Sequence, residues 1–317
     1  MFNNKDYVLA VDKSKSFSKA AKELYISQPS LSASIKRIEK EIGAPLFDRS
    51  TSPLSLTEIG QKYVECANEI CNIEENFKNY VGDSMNLLAG EIKIGGSSMF
   101  NSFVLSGLIS RFNKEYPEIE FNILEEHSQN LINMLIDGKL DISIDNVFVS
   151  NKSVTPIILR SEVLLLAVPN SFAVNKKLKS KSLSAEDIKK GKHFSDDSSS
   201  IELKEFESEP FVLLKSENDT GKRAVKLFKK YDIKPDVRFR LDQQMTAYNF
   251  TCSGVGISFV SDTLVKHLSA SPDVCYYKLD DDEIIRNIYF YVKSNRYLTN
   301  ACKLFIEKSV EAENSEQ

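Results

Sequence analysis

The sequence predicts an α/β protein that begins with a helix-turn-helix, continues through one long helix and ends in a larger region of alternating strands and helices. Three observations predict this order. Residues 16–49 contain two short helical patterns around a turn, residues 59–80 carry an unbroken apolar repeat, and strand-like runs alternate with helical patterns from residue 91 onward. Such alternation favours a mostly parallel sheet. A chain of 317 residues also fits two domains or more, since a domain contains about 150 residues.

The first two helical patterns are short and can pack closely. An opening helix is expected around residues 4–12, and the small pair Ala20-Ala21 permits close approach of the second helix. The residues expected to pack beneath or between these helices are Tyr7, Val8, Val11, Phe17, Leu24, Tyr25 and Ile26.

The third helix is expected to begin after Ser27, because a serine hydroxyl can accept hydrogen bonds from the free amides of a first helical turn. Pro29 fits that turn, where its missing N–H has no partner to lose. One face of this helix is apolar and consists of Leu31, Ile35, Ile38 and Ile42. The other face carries Gln28, Ser30, Ser32, Ala33 and Lys36. A polar helix start of this kind suits a DNA major groove, although a helical hairpin with a solvated face would look the same.

The motifs SFSKAAKEL, SQPSLS, IKRIEKEIG, PLFDR and LTEIG follow one another within the first sixty residues. In this order they closely resemble the winged helix-turn-helix of LysR-type transcriptional regulators. The resemblance implies a DNA-binding domain over residues 1–58, with a short two-stranded wing at residues 48–56. The residues expected to meet DNA are Ser27, Gln28, Pro29, Ser30, Ser32, Lys36 and Arg49. Relatives often carry several basic residues in the wing, whereas Arg49 is the only one here.

A long helix is expected to start at Thr57 as its cap and to carry a seam of apolar residues. Their spacing alternates between four and three without a lapse, which indicates a coiled-coil seam. The seam consists of Ile59, Tyr63, Cys66, Ile70, Ile73, Phe77 and Tyr80. The family resemblance likewise implies a dimerisation helix, here over residues 59–89; a helix packed on its own domain is the alternative. Two recognition helices held at a fixed separation can read two half-sites.

Residues 90–317 resemble the effector-binding part of LysR-type regulators, which shares the fold of periplasmic solute-binding proteins. The resemblance implies two α/β lobes joined by crossing strands, with a ligand between them. Lobe I would comprise about 90–160 plus 266–317, and lobe II about 161–265. The serine-rich acidic segment 196–209 is expected to be a surface loop.

Polar residues follow several predicted strands, at the starts of helices. They are Ser97, Ser98, His127, Ser128, Asn218, Thr220, Gln243 and Gln244. Helix N-termini present free amides and partial positive charge, and ligands of open α/β sheets bind at the carboxyl ends of strands. Each residue taken alone fits a helix cap at least as well. Together they predict a site for a small polar effector such as a carboxylate.

The composition excludes several classes of protein. The net charge is −4, yet residues 1–57 hold nine basic and six acidic residues, a local balance of +3. No apolar run approaches the ~20 residues of a membrane helix, and no signal-peptide layout is present, so a cytoplasmic location is expected. The three histidines lie far apart, and no catalytic, metal-binding or phosphate-loop motif is present.

These patterns predict a DNA-binding transcriptional regulator, not an enzyme, that is controlled by a small molecule and has no cofactor or metal. Its expected partners are double-stranded promoter DNA, a second copy of itself in a homodimer or tetramer and, by family resemblance, RNA polymerase. Two alternatives remain. One is a solute-binding or enzymatic α/β protein with a DNA-binding-like N-terminus. The other is a redox-sensing regulator that uses some of its five cysteines.

Overall fold

The computed structural model describes residues 1–51, 53–84, 90–195 and 200–315. The chain divides into two compact units, Met1–Leu87 and Leu88–Gln317. Each unit contains its own hydrophobic core, and the two are described separately.

The N-terminal unit is a three-helix core followed by a wing and a long helix. Its elements are α1 (Lys5–Ser14), α2 (Phe17–Glu23), α3 (Gln28–Ile42), β1 (Phe47–Asp48), β2 (Ser55–Leu56) and α4 (Glu58–Ser84). The expected caps are present: the Ser30 amide donates to Ser27 Oγ at 3.3 Å, and the Gly60 amide donates to Thr57 Oγ1 at 2.9 Å. Helix α4 is described as far as Ser84, and residues 85–89 of the expected linker lie outside the described residues.

The apolar pattern of these helices forms the core as expected, with one exception. Val8, Val11, Leu31 and Ile35 are fully buried. Tyr25 is instead 96% exposed, because it stops α2 in a left-handed conformation with φ +57°. Its neighbour Ile26 turns inward and packs against the core.

The wing is a two-stranded antiparallel ribbon in which Phe47 pairs with Leu56. It is tied to α3 through Glu39. The Leu46 amide donates to Glu39 Oε1 at 2.9 Å, and Arg49 Nη2 donates to Glu39 Oε2 at 3.4 Å. The Arg49 guanidinium also lies 5.1 Å from the Phe17 ring centroid.

The second unit has the elements expected of an α/β domain and several short helices that were not expected. Its strands are β3 (Gly90–Gly96), β4 (Ile119–Glu125), β5 (Ile142–Asp145), β6 (Val154–Pro169), β7 (Pro210–Leu214), β8 (Asp236–Leu241), β9 (Ser258–Ser261), β10 (Val274–Lys278) and β11 (Ile285–Lys293). Its helices are α5 (Ser98–Phe100), α6 (Ser106–Glu115), α7 (Ser128–Ile136), α8 (Val174–Leu178), α9 (Ala185–Lys189), α10 (Asp219–Lys230), α11 (Gln244–Cys252), α12 (Asp262–His267) and α13 (Asn300–Ser315). A π-helical turn (Asn101–Leu105) joins α5 to α6.

The expectation of a mostly parallel sheet is wrong. The main sheet has the order β10-β6-β11-β5-β3-β4, with β9 also paired to β6. Only β3 makes parallel pairs in it, with β4 and β5. The long strands β6 and β11 run antiparallel to each other and to their other neighbours, because they cross between the two lobes in opposite directions.

Two separate cores define the lobes around these crossing strands. One core lies beneath β3, β5 and α6, and the other beneath the second half of β6, β7 and α10. The expected boundary of lobe II at residue 265 is corrected, because β10 pairs with the end of β6 and its Tyr276 and Tyr277 lie in the lobe II core. The chain returns to lobe I along β11.

The segment 196–209 differs from the expected surface loop where it is described. Residues 196–199 lie outside the described residues. Leu203 and Phe206, on a single 3-10 turn, are buried in the lobe II core. No helix in the described ranges is long and apolar enough to cross a membrane.

Candidate nucleic-acid interface and ligand cavity

The start of α3 presents a polar surface because its apolar stripe faces inward. Gln28, Pro29, Ser30 and Lys36 are exposed, and Ser32 is half-buried. Ser27 closes the first turn with its side chain and is itself exposed. The geometry therefore leaves the expected DNA-reading residues open to a groove.

Arg49 differs from the other expected DNA contacts, because its guanidinium is already engaged by Glu39 and Phe17. Its side chain is still 41% exposed, so one side of it can meet a phosphate.

Tyr25 was assigned to the core from the sequence, but its side chain is exposed two residues before the cap of α3. A large aromatic residue at a helix stop, where glycine or asparagine is usual, is the signal that could have identified it.

Helix α4 carries an exposed apolar stripe along its second half. Ile73 is 66% exposed, Phe77 68% and Tyr80 55%. Ile59 is also exposed, whereas Cys66 and Ile70 are half-buried. Tyr63 departs from the expected seam: its ring stacks on Phe2 and its hydroxyl donates to the Met1 carbonyl at 3.0 Å, inside the N-terminal unit.

The second unit contains a cavity of about 420 Å³ between its two lobes. Seven of the eight expected effector residues line it, namely Ser97, His127, Ser128, Asn218, Thr220, Gln243 and Gln244. Ser98 is not among the described residues that line it, although its neighbours Ser97 and Met99 are. The expectation for Ser98 is therefore corrected in favour of Ser97.

The floor of the cavity is organised around Arg286, on strand β11. Its side chain is 1% exposed, and its Nε donates to Glu162 Oε1 at 2.7 Å. Its Nη1 donates to Asp219 Oδ2 at 2.8 Å and to Thr220 Oγ1 at 3.0 Å. The Nη2 atom has no hydrogen-bond partner among the residues that the structure describes. Arg286 thus joins the crossing strands to lobe II and, as a residue that lines the cavity, has one donor group without an acceptor in the described chain.

Asp145, at the end of β5, is the second buried charge in the cavity wall. It is 7% exposed, and its Oδ1 accepts hydrogen bonds from the amides of Asn146 and Val147 at 2.7 and 3.1 Å. Burial raises the pKa of the Asp145 carboxyl above its ordinary value, although Ser128, these two amides and Arg286 favour the charged form.

A buried polar network lies behind the cavity floor. Thr263 Oγ1 donates to Glu162 Oε2 at 2.6 Å and accepts a hydrogen bond from Arg160 Nη2 at 2.8 Å. Gln244 Nε2 lies 3.4 Å from Thr220 Oγ1, and Gln244 Oε1 accepts a hydrogen bond from the Ser261 hydroxyl.

The sequence-based expectations did not include Arg286, Glu162 or Asp145 as cavity residues. A charged residue inside an otherwise apolar strand was the available signal.

Burial affects the thiol pKa of two of the cysteines and encloses one of the histidines. The cysteines are free thiols, and burial raises the pKa of the Cys71 and Cys275 thiols, which lowers their thiolate fraction at neutral pH. His193 is fully buried and paired with Asp262 at 3.0 Å. Within the described ranges, no cluster of three or more His, Cys, Asp or Glu residues could hold a metal ion.

Comparisons with known proteins match both units. A family model described as "Bacterial regulatory helix-turn-helix protein, lysR family" matches residues 2–61, and one described as "LysR substrate binding domain" matches residues 86–313. The chain is 25% identical to the uncharacterised HTH-type transcriptional regulator YcgK of Bacillus subtilis (strain 168), over 97% of this chain and 93% of that protein. It is 28% identical to YybE of the same organism, over 81% of each chain.

Two solved structures share the fold along their whole length. A full-length OxyR variant from Pseudomonas aeruginosa, in which aspartate replaces a cysteine, has a TM-score of 0.72 and 19% identity, and covers 98% of this chain and 94% of its own. Full-length CbnR in complex with its target DNA has a TM-score of 0.62 and 17% identity. The match covers 100% of this chain and 100% of the CbnR chain.

Proposed function

The chain belongs to the LysR family of DNA-binding transcriptional regulators, and we propose that it reads promoter DNA as a homodimer under the control of a small polar effector. The observation that carries the DNA-binding part is the exposed polar start of α3, which the buried stripe of the same helix holds in place. In this proposal the protein is cytoplasmic and acts on RNA polymerase at its promoter. It is not an enzyme.

Gln28 and Lys36 should contribute to DNA binding in different ways. Gln28→Ala should cost about 1–3 kcal/mol on a matched site and relax specificity at one base pair, because a bidentate amide contact to adenine is lost. Lys36→Ala should weaken binding to every sequence and reduce the salt slope by about one, because one phosphate contact is lost. The measurement is fluorescence anisotropy at several salt concentrations, on duplexes selected from a random pool by the wild-type chain.

One control variant and two contrary outcomes make that experiment decisive. Lys179→Ala, an exposed lysine of the second unit, should leave both affinity and salt slope unchanged. If the wild-type chain selected no duplex, the proposed function would fail. If it selected a site that Gln28→Ala and Lys36→Ala bound equally well, α3 would not be the reading helix.

The exposed stripe on α4 supports the homodimer. Ile73→Glu combined with Phe77→Glu should split the dimer, because both side chains are mostly exposed in one chain and need an apolar partner. Sedimentation velocity at micromolar concentration measures the result. Operator affinity should fall with the loss of the dimer, since one half-site offers only part of the contacts.

Lys78→Glu is the matched control for the dimer, because it changes the net charge by the same two units at an exposed site of the same helix. It should leave the dimer intact. A wild-type chain that sediments as a monomer would contradict the proposal. A wild-type tetramer would require further contacts made by the second unit.

The cavity between the lobes supports the effector part of the proposal. Helices α7, α10 and α11 all begin at it, and their free amides favour a group with hydrogen-bond acceptors such as a carboxylate. A ligand that binds one lobe arrangement better than another shifts the balance between them by its difference in affinity. In this way a small molecule would change how the dimer meets its operator.

A further inference from the structure

We propose that the effector of this regulator is a zwitterion of the amino-acid type, with its ammonium group against Asp145 and its carboxylate against the free N–H group of Arg286. This inference rests on the proposed function, because it names the chemical class of the ligand in the same cavity.

The cavity floor holds more negative than positive charge. Asp145 and Asp219 line the cavity as carboxylates, and Glu162 lies directly behind it, hydrogen-bonded to both Arg286 and Asn146. Arg286 is the one cation at that depth among the described lining residues, because Lys215 and Lys222 are exposed at the rim. Charges interact strongly where water is excluded. Arg223, outside the lining, also pairs with Asp219 at 2.8 Å, so the three carboxyl groups are met by two guanidinium groups. A ligand that carried only negative charge would therefore add to an excess of one negative charge, whereas an ammonium group would offset it.

Arg286 has a hydrogen-bond donor that the described residues do not use. Its side chain is only 1% exposed, and Nη2 has no hydrogen-bond partner among the described residues. A buried hydrogen-bond donor without an acceptor costs folding free energy. Hydrogen bonds to charged acceptors are stronger than those to neutral ones. A ligand carboxylate satisfies this donor and also accepts from the free amides of the helices that begin at the cavity. The same ligand therefore needs an acceptor at one end and a positive charge at the other.

Asp145 is buried and held in one position by hydrogen bonds. Its carboxylate is held by amides and by Ser128, so its position is fixed before any ligand arrives. Burial opposes its charged form, and a neighbouring ammonium group would favour that form again. A fixed, buried carboxylate at a cavity wall is chemically suited to recognise an amine.

The test uses the full chain and three matched sets of probes. The first set is the common L-amino acids, the second is their deaminated carboxylic acids, and the third is their decarboxylated amines. Isothermal titration should show binding of at least one amino acid, with its deaminated and decarboxylated partners each at least tenfold weaker. Carboxylic acids that bind as tightly as the amino acids would overturn the inference while leaving an effector-controlled regulator in place. The absence of binding by every amino acid would also overturn the inference. The proposed regulator would still stand in that case, because the selection of a DNA duplex tests it independently.

Variants locate the amine. Asp145→Asn keeps an oxygen for the two amides and should reduce the preference for the amino acid over its deaminated partner to less than twofold. Asp242→Asn, an exposed rim carboxylate paired with Lys215, should keep that preference. If Asp145→Asn kept the same preference for the amino acid, the ligand's ammonium group would not lie against Asp145. If Asp145→Asn did not fold, the comparison of probes on the wild-type chain would still decide the proposal.

Discussion

Gly60→Ala is expected to unfold the N-terminal unit and to abolish DNA binding with it. A β-carbon at residue 60 would lie 1.9 Å from the Leu46 carbonyl oxygen. That oxygen cannot move away cheaply, because it accepts the Thr57 amide at 3.0 Å where the wing returns to α4. We expect a loss of about 4 kcal/mol or more, which is a severe effect for one methyl group. Urea unfolding and operator binding of the full chain measure it.

Gly82→Ala is the control for this prediction. It lies in the same helix with no atom within 4 Å of the added β-carbon, so it should stabilise α4 by up to about 1 kcal/mol. Gly60→Ala with wild-type stability would show that the wing and the helix start do not pack as described.

Arg286→Met is expected to destabilise the second unit by about 3–5 kcal/mol, because it leaves the buried Glu162 without its cation and Asp219 with Arg223 alone. Methionine keeps much of the side-chain volume, so the loss reports on charge more than on packing. The double variant Arg286→Met with Glu162→Gln should be more stable than Arg286→Met alone, since one orphaned charge is then removed. Thermal unfolding of both variants beside the wild type gives the measurement. A double variant less stable than the single one would contradict this account.

The pH dependence of the same variant has a definite sign. Burial alone would raise the pKa of Asp219, but Arg286 and Arg223 outweigh it and hold that pKa below its ordinary value. The ion pair therefore stabilises the wild type above the unfolded pKa of ~3.9, and this stability is lost as the pH falls through the lower folded value. The deficit of Arg286→Met should therefore hold from pH 7 down to about pH 4 and shrink below that pH. A deficit independent of pH would mean that packing, not charge, causes it.

Local chemistry made much of this structure predictable. Ser27, Thr57 and Asn218 cap helices as their side chains suggest, and apolar spacing identified the buried stripe of α3. Seven of the cavity residues were predicted because polar residues gather at the carboxyl ends of strands, here β3 and β4 in one sheet and β7 and β8 in another. These features depend on neighbours within a few residues along the chain.

The remaining features depend on contacts between distant residues. Arg286 meets Glu162, Asp219 and Thr220 across separations of 124, 67 and 66 residues. A charged residue in an apolar strand marks Arg286 as unusual, but no local pattern shows which residues it meets. Strand β10 belongs to lobe II because it pairs with the far end of β6, which its own sequence does not show. Tyr25 was predicted to be buried because it is aromatic, but the left-handed backbone at the end of α2 directs its side chain to solvent.

The attachment of the wing to α3 has a consequence for how operators are recognised. Glu39 holds the amide of Leu46 and the guanidinium of Arg49, so helix and wing form a single stiff template before DNA arrives. A preorganised template loses little conformational entropy on binding. It also has little capacity to adapt to an altered half-site. Tolerance of different spacings between half-sites must then come from outside this template, and operators should vary more in the distance between their halves than in the sequence within each half.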